Sequence, residues 1–523
     1  MANTDATGLW AIAEADGDFV AAVDDDHNQL TYAELAALTN RISRGLRAAG
    51  LARGDQVTTV LPNCFEQLAA CLAAYQSGLY LTTINWHFVG SEINYIVNDA
   101  DTKAFIVHER YGDEARKALR GCTAPQANRF CVGGAVEGFR PFDELLAGHS
   151  GERPDPEHLA TGSFMFYTSG TTGRPKGVRR ALDSRPPDEA AATAGLLLML
   201  FGTVPHADNV QLTQAPLYHT AVNNWTTMSL HMGHPVVLMD RWSAQGALER
   251  IERYRVTNSH MVPTMFNRLL QLPEEVRDAY DVSSLRAMVH AAAPCPIETK
   301  RRMIEWWGDS IWEYYAATEG GGTVVSAAEW LERPGTVGKA WPGCEVVVVD
   351  GDGNDLSAGE SGIVYMKMPP GITFEYKGDE AKTSASRLRD FFTVGDVGYL
   401  DADGYLFLQD RANDMIIVGG VNIYPAEIEG ELVQHPAVGD AAVFGVPNPD
   451  TGEEIKAVVE LRAGWAPDDS TTAAILEWLR ERVARQKLPR SVDYTADMPR
   501  DPNGKLYKRK LRDTYWAGHD RAI

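Results

Sequence analysis

Apolar and polar positions follow two different rhythms along this chain. The stretch "LTYAELAALTNRISRGLRAAGL" carries Thr31 and, three residues later, Glu34, the spacing of a capping box. Leu35, Leu38, Ile42 and Leu46 then recur at helical intervals, so the pattern predicts a helix opened at Thr31. "VTTVLP" is β-branched and stopped by Pro62, which predicts a strand, and the apolar run from Phe65 to Tyr75 predicts the helix after it. "AFIVHE" (Ala104–Glu109), "PVVLMD" (Pro235–Asp240) and "AMVH" (Ala287–His290) predict further buried strands between helices. Alternation of this kind predicts layered α/β subdomains with mostly parallel sheets. No repeat of fixed period interrupts it.

Two stretches are expected as loops, Gly148–Gly162 and Arg179–Gly195. Beyond "DRAND" (Asp410–Asp414) the rhythm changes. Short strands "MIIV", "AAVFGV" and "KAVVEL" flank the helical stretches "PAEIEGELVQ" and "AAILEWLRERVARQ", a length that suits a small α+β domain. The expected division is a large N-terminal domain over 1–411 and a small, mobile C-terminal domain over 412–523.

Composition narrows the class. The 523 residues are 44% hydrophobic and 23% charged, enough for a sizeable core and unlike a disordered chain. A formal net charge of −22 repels nucleic acid and anionic lipid while leaving room for a local anion site. Six cysteines without a CxxC pair read as reduced thiols. "MANTDATGLW" lacks the features of a signal peptide, and runs such as "LLLMLF" (Leu196–Phe201) are too short to span a bilayer. The expectation is a soluble cytoplasmic protein with no membrane span and no nucleic-acid partner. A homodimer stays open.

The densest chemistry lies in "YTSGTTGRPKGV" (Tyr167–Val178), which follows the apolar strand "SFMFY" (Ser163–Tyr167). Glycines let backbone amides approach an anion, while Thr168, Ser169, Thr171 and Thr172 offer hydroxyls and Lys176 a cation. The P-loop pattern GxxxxGK[ST] fails here. Counting from Gly170, Pro175 stands where the second glycine belongs, and Gly177 follows Lys176 in place of a hydroxyl.

This stretch resembles the phosphate loop of the adenylate-forming superfamily, which holds acyl- and aryl-CoA ligases, luciferases and peptide-synthetase adenylation domains. Five more segments resemble family motifs in family order. They are "APLYHT" (Ala215–Thr220), "EYYAATEGG" (Glu313–Gly321), "FFTVGDVGYLDADGYLFLQDR" (Phe391–Arg411), "NDMIIVGGVNIYPAEIE" (Asn413–Glu429) and "MPRDPNGKLYKRKL" (Met498–Leu511).

The resemblance implies a two-step reaction with ATP and Mg²⁺ as cofactors and coenzyme A as co-substrate. A carboxylate attacks the α-phosphorus and pyrophosphate leaves; the thiol of coenzyme A then takes the acyl group and AMP leaves. The loop Thr168, Ser169, Gly170, Thr171, Thr172, Gly173 and Lys176 is expected to grip the β- and γ-phosphates. Thr318 is expected at the α-phosphate and Glu319 on Mg²⁺. Tyr315 is expected to stack on adenine, with Ala292 and Ala293 as a backbone wall. Asp396 suits both ribose hydroxyls, and Arg411 ribose or phosphate. Lys505 is expected to neutralise charge between carboxylate and α-phosphate, while the rest of its basic run (Lys508, Arg509, Lys510, Arg512) is expected to be solvated.

One residue departs from the family pattern: the hinge position is Asn413, a residue that tolerates unusual backbone angles. Gly419 and Gly420 fit a loop lining a pantetheine channel. By resemblance the acid pocket takes its walls from His219, Val222, Asn223, Trp225, Thr264, Ala293, Tyr314 and Gly320, Gly321 and Gly322, with His219 also expected as a catalytic candidate that closes the pocket or contacts the carboxylate. The triple glycine suits either room for a bulky acid or a bend in the loop. The leading reading is an AMP-forming acyl-CoA ligase acting on a fatty, aryl or other bulky acid. The alternatives are an enzyme of secondary metabolism that adenylates nitrite and passes it to an aryl amine, a ligase loading a carrier-protein thiol in trans, and a nucleotide-binding protein without catalysis.

Overall fold

The computed structural model describes residues 5–168, 175–369, 372–411, 414–418, 421–500 and 506–517. The chain forms two compact units. One holds Met1–Met261, Leu272–Val289 and Gly371–Ala385; the other holds Val262–Gln271, His290–Pro370 and Ser386–Ile523.

The first unit is built on parallel sheets. One runs in the order Arg140–Pro141, Arg129–Val132, Thr102–His108, Gln56–Val60, Tyr80–Thr83, Ser163–Phe164, every neighbour parallel. All five residues of Gln56–Val60 are buried, as a strand covered on both faces requires. Phe105 and Val107 meet Ile93 and Val97 of the helix Gly90–Asp99 in the core beside this sheet. A second set, Asn258–Met261, Gln211–Thr213, Val236–Leu238 and Val20–Val23, is also parallel, with Gln29–Thr31 antiparallel at its edge.

The expected capping box is present. Thr31 Oγ1 accepts from the Glu34 amide at 3.2 Å, the Glu34 carboxylate accepts from the Thr31 amide at 2.9 Å, and the helix Tyr32–Ala48 follows. The helix after "VTTVLP" spans Phe65–Gln76, and "AMVH" forms the strand Ala287–His290. Two expectations differ. "SFMFY" is two short strands, Ser163–Phe164 in the parallel sheet and Phe166–Thr168 in a separate antiparallel sheet, because the chain changes sheets at Met165. The expected loop Arg179–Gly195 contains the helix Pro187–Ala194, started by a proline at its first position and by Asp188 and Glu189 in its first turn.

The second unit is mainly antiparallel. Ile311–Ala317 and Gly320–Ser326 form a hairpin. Glu345–Val349, Gly362–Lys367, Phe391–Phe392, Asp396–Leu400 and Leu406–Arg411 form a further sheet. Beyond Arg411 the chain builds its own sheet from Val421–Ile423, Ile416–Val418, Gly452–Leu461 and Val438–Asn448, with Ser491–Thr495 parallel to Gly452–Leu461. The helices Pro425–Leu432 and Asp469–Arg480 cover it, and Ile428, Leu432, Val443, Ile475 and Leu479 close a core of their own.

The basic run after Lys505 corrects the expectation of full solvation. Lys508 and Arg512 stand four apart on the short helix Lys508–Arg512 and share a face. Lys508 Nζ lies 2.8 Å from Glu429 Oε1, with side chains only 12% and 18% exposed. Arg512 faces Asp414 at 3.7 Å. Arg509 lies on the solvent side and pairs with Asp513.

Candidate active site

In the first unit, Thr168 and Lys176 are Cα partners across the antiparallel pair Phe166–Thr168 and Lys176–Arg180. The two ends of the phosphate-loop motif are therefore held side by side. Tyr167 donates to Asp99 at 2.6 Å, and Tyr95 donates to the Pro175 carbonyl at 3.1 Å, which fixes the strand end and the start of the return strand. Lys176 Nζ lies 3.3 Å from Asp379 Oδ2, with both side chains about a quarter exposed. The Lys382 amide, and after it Lys176, hold the Asp379 carboxyl below its usual range. Ser169, Gly170, Thr171, Thr172 and Gly173 lie outside the described residues.

His219 stands at the start of the helix Thr220–His231, its ring 4.4 Å from that of Tyr218. Val222 and Trp225 are buried on that helix, the Trp225 ring 4.9 Å from Phe201. Asn223 is fully buried, and its amide nitrogen donates to the Leu217 carbonyl at 3.1 Å and to Cys71 Sγ at 3.2 Å. Its donors are thus engaged within the fold, one tying its helix to the helix Phe65–Gln76 and the other to the segment before its own helix.

In the second unit, sheet register and a hydrogen bond from a strand of another sheet assemble a compact polar group. Asp396 and Arg411 are Cα partners on adjacent strands, and Arg411 Nε lies 3.3 Å from Asp396 Oδ1. Tyr315 donates its hydroxyl to Asp396 Oδ2 at 2.6 Å. Burial, and then the charge of Asp396, push the Tyr315 phenol well above its ordinary value, so it remains a donor. Asp396 is buried. Glu319, also buried, follows Thr318 where the hairpin turns, and acts electrostatically on both Tyr315 and Arg411. Each carboxylate oxygen of Asp396 keeps acceptor capacity after meeting Tyr315 and Arg411. A cis-diol flanked by an aromatic ring and a cation fits that donor and acceptor set.

Ala292 has φ 72°, a left-handed conformation that costs an L-residue about 1–2 kcal/mol. Tyr314 packs near Trp341, ring centroids 6.3 Å apart, and Thr264 lies on the helix Pro263–Leu270. The glycines after Glu319 favour the second of the two readings above. Gly321 has φ 70°, and a Cβ there would stand 2.8 Å from Met366 Cβ. Gly322 has φ 153°, and a Cβ there would stand 2.5 Å from the Trp341 ring. The space is filled, so these glycines serve backbone conformation and close packing. Asn413, Gly419, Gly420 and Lys505 lie outside the described residues. Among the described residues, no group of three or more His, Cys, Asp or Glu could hold a metal ion by itself.

Sequence reasoning missed Asp379, Asp99 and Asp410. Asp379 and Asp99 meet Lys176 and Tyr167, residues distant in sequence, so spacing alone does not mark them. Asp410 accepts from the Ala426 amide at 3.0 Å, at the start of the helix Pro425–Leu432. It stands in the quoted Asp-Arg segment, so the signal was present and its partner was not.

Comparison with known proteins places the chain. The AMP-binding enzyme family matches residues 9–376, and the AMP-binding enzyme C-terminal domain matches residues 427–505. The chain belongs to this family of adenylate-forming, ATP-using enzymes. Feruloyl-CoA synthase from Amycolatopsis sp is 33% identical over 97% of this chain and 98% of its own. Fatty acid–[acyl-carrier-protein] ligase ScoC from Streptomyces coeruleorubidus is 31% identical over 94% and 93%. Among solved structures, o-succinylbenzoate CoA synthetase from Bacillus subtilis, in complex with its acyl-adenylate intermediate, aligns with a TM-score of 0.80 at 26% identity, covering 97% of each chain.

Proposed function

We propose that this enzyme activates a carboxylic acid with ATP and transfers the acyl group to coenzyme A. In the first step a carboxylate oxygen bonds to the α-phosphorus, the bond to the bridging oxygen breaks, and pyrophosphate leaves. In the second, the thiol sulfur of coenzyme A bonds to the acyl carbon, AMP leaves, and the thiol proton passes to solvent. The observation that carries this reading is the Tyr315–Asp396–Arg411 group near Glu319, in which Asp396 and Arg411 lie on adjacent strands and Tyr315 donates to Asp396 from another sheet, a set that suits a nucleoside. Asp396 accepts from the ribose, Tyr315 backs the base, and Arg411 supplies a cation. Thr168, Lys176 and the loop between them hold the departing phosphates, and Thr318 holds the α-phosphate.

Glu319 would hold Mg²⁺, an ion that keeps few protein ligands. Once bound, it would supply charge neutralisation at the phosphates. Residues 412–523 form a lid that turns about Asn413, bringing Lys505 to the first step and Gly419 and Gly420 to the second. His219, Val222, Trp225, Thr264 and Tyr314 wall the acid site.

Among the described residues no helix is long and apolar enough to cross a membrane, and all six cysteines are free, which supports a cytoplasmic enzyme. A carrier-protein thiol is the second reading for the acceptor, favoured by the similarity to ScoC.

The test is pyrophosphate release with ATP and Mg²⁺ across fatty and aryl acids, with coenzyme A, with a carrier protein, and with nitrite plus an aminoarene. Turnover with an acid and coenzyme A is expected; turnover with nitrite alone would overturn the reading. Lys505→Ala is expected to slow adenylation by about 10²–10³-fold while sparing thiolysis of a supplied acyl adenylate. Equal loss of both steps would remove Lys505 from the first.

A further inference from the structure

The second unit contains a charged cluster that the proposed reaction does not use. Lys300 is 1% exposed, and its Nζ lies 2.5 Å from Glu313 Oε2. His290 is fully buried, and its Nε2 lies 3.6 Å from the same oxygen. Lys300 also sits over the Trp330 ring, 4.8 Å from its centroid. Burying an ammonium and a carboxylate is expensive, and an apolar pair of similar volume is often as stable or more so. Fold stability alone gives no reason to keep this pair.

Its placement does. His290 ends the strand Ala287–His290, and Lys300 lies in the first half of the helix Ile297–Trp307. Between them runs the turn holding Ala292 in its strained conformation. Glu313 lies on the strand Ile311–Ala317 and ties both ends of that turn to it. Side chains alternate along a strand, so Glu313 and Tyr315 share one face about 7 Å apart, while Tyr314 points to the other. The ion pair therefore braces the face that carries Tyr315 and its contact with Asp396.

We propose that Lys300 and Glu313 are positioning residues for the nucleotide. They hold the Ala292 turn and the Tyr315 face in register, and they set the affinity for ATP without touching the acid. This rests on the reading of Tyr315 and Ala292 as the nucleotide site.

The experiment compares wild type with the double variant Lys300→Met/Glu313→Leu, which removes both charges and avoids leaving one unpaired in the core. Steady-state pyrophosphate release gives KM for ATP and for the best acid separately, and ATP-induced shifts in melting temperature report nucleotide binding without acid. The double variant is expected to melt near wild type. Its KM for ATP should rise roughly tenfold, with a smaller ATP-induced melting shift and an unchanged KM for the acid. An unchanged KM for ATP, or both KM values rising together, would overturn the positioning role and leave the proposed function standing. A wild-type enzyme whose melting ATP does not shift, and which releases no pyrophosphate, would overturn both.

Discussion

Lys176 and Lys300 each face one carboxylate, and the difference between their surroundings separates two uses of a lysine. Lys300 and Glu313 are 1% and 8% exposed and 2.5 Å apart; Lys176 and Asp379 are 23% and 27% exposed and 3.3 Å apart. The first pair is out of water, so its Coulomb attraction is strong and its partner cannot be exchanged cheaply. The second keeps contact with solvent, and its ammonium can trade Asp379 for a phosphate oxygen at little cost. Burial fixes a lysine to one partner, and partial exposure leaves it able to exchange that partner.

The sharpest way to break this contrast is Lys300→Met alone. It leaves Glu313 charged in the core and is expected to cost about 3–5 kcal/mol of stability, read by denaturant unfolding. Burial already raises the Glu313 carboxyl above its ordinary value of 4.5, with Lys300 pulling it back down. Without Lys300 it stands higher still, and the folded state binds a proton more tightly than the unfolded one. The deficit is therefore smallest in acid and grows as pH rises through the raised value. A deficit independent of pH would contradict an uncompensated carboxylate.

Lys508, 12% exposed beside Glu429, lies between the extremes. Lys508→Met is expected to cost about 3 kcal/mol in unfolding of the region beyond Arg411, near the lower end for a buried pair. Lys176→Ala should leave stability nearly unchanged and raise KM for ATP about tenfold, roughly 1.4 kcal/mol. A large loss of stability without a change in KM would make Lys176 a brace as well. Lys367, one third exposed beside Glu345, supplies the baseline. Lys367→Ala should change stability by less than about 1 kcal/mol and leave turnover alone.

Features written in neighbouring residues were legible in the sequence. The Thr31–Glu34 box depends on local spacing and the strand Ala287–His290 on a short apolar run, and both appear as expected. Tyr315, Asp396 and Arg411 were singled out through resemblance; sheet register sets Asp396 beside Arg411, while Tyr315 reaches Asp396 from a strand of another sheet. Lys300 was not legible: in "IETKRRMIEWW" it is one of three adjacent basic residues, and only tertiary packing buries it. The role of Gly321 and Gly322 depends on Met366 and Trp341 approaching from elsewhere in the chain. Lys508 was misjudged because one helical turn divides a basic run into a paired face and a solvent face.

In the proposed reaction ATP is cut between its α- and β-phosphates by a carboxylate. The most direct measurement is exchange of labelled pyrophosphate into ATP, with Mg²⁺ and a series of acids and without coenzyme A, alongside identification of the nucleotide product. Exchange that depends on the acid is expected, with AMP as the nucleotide released once coenzyme A is added. Acid-dependent formation of ADP and phosphate, without exchange, would contradict it.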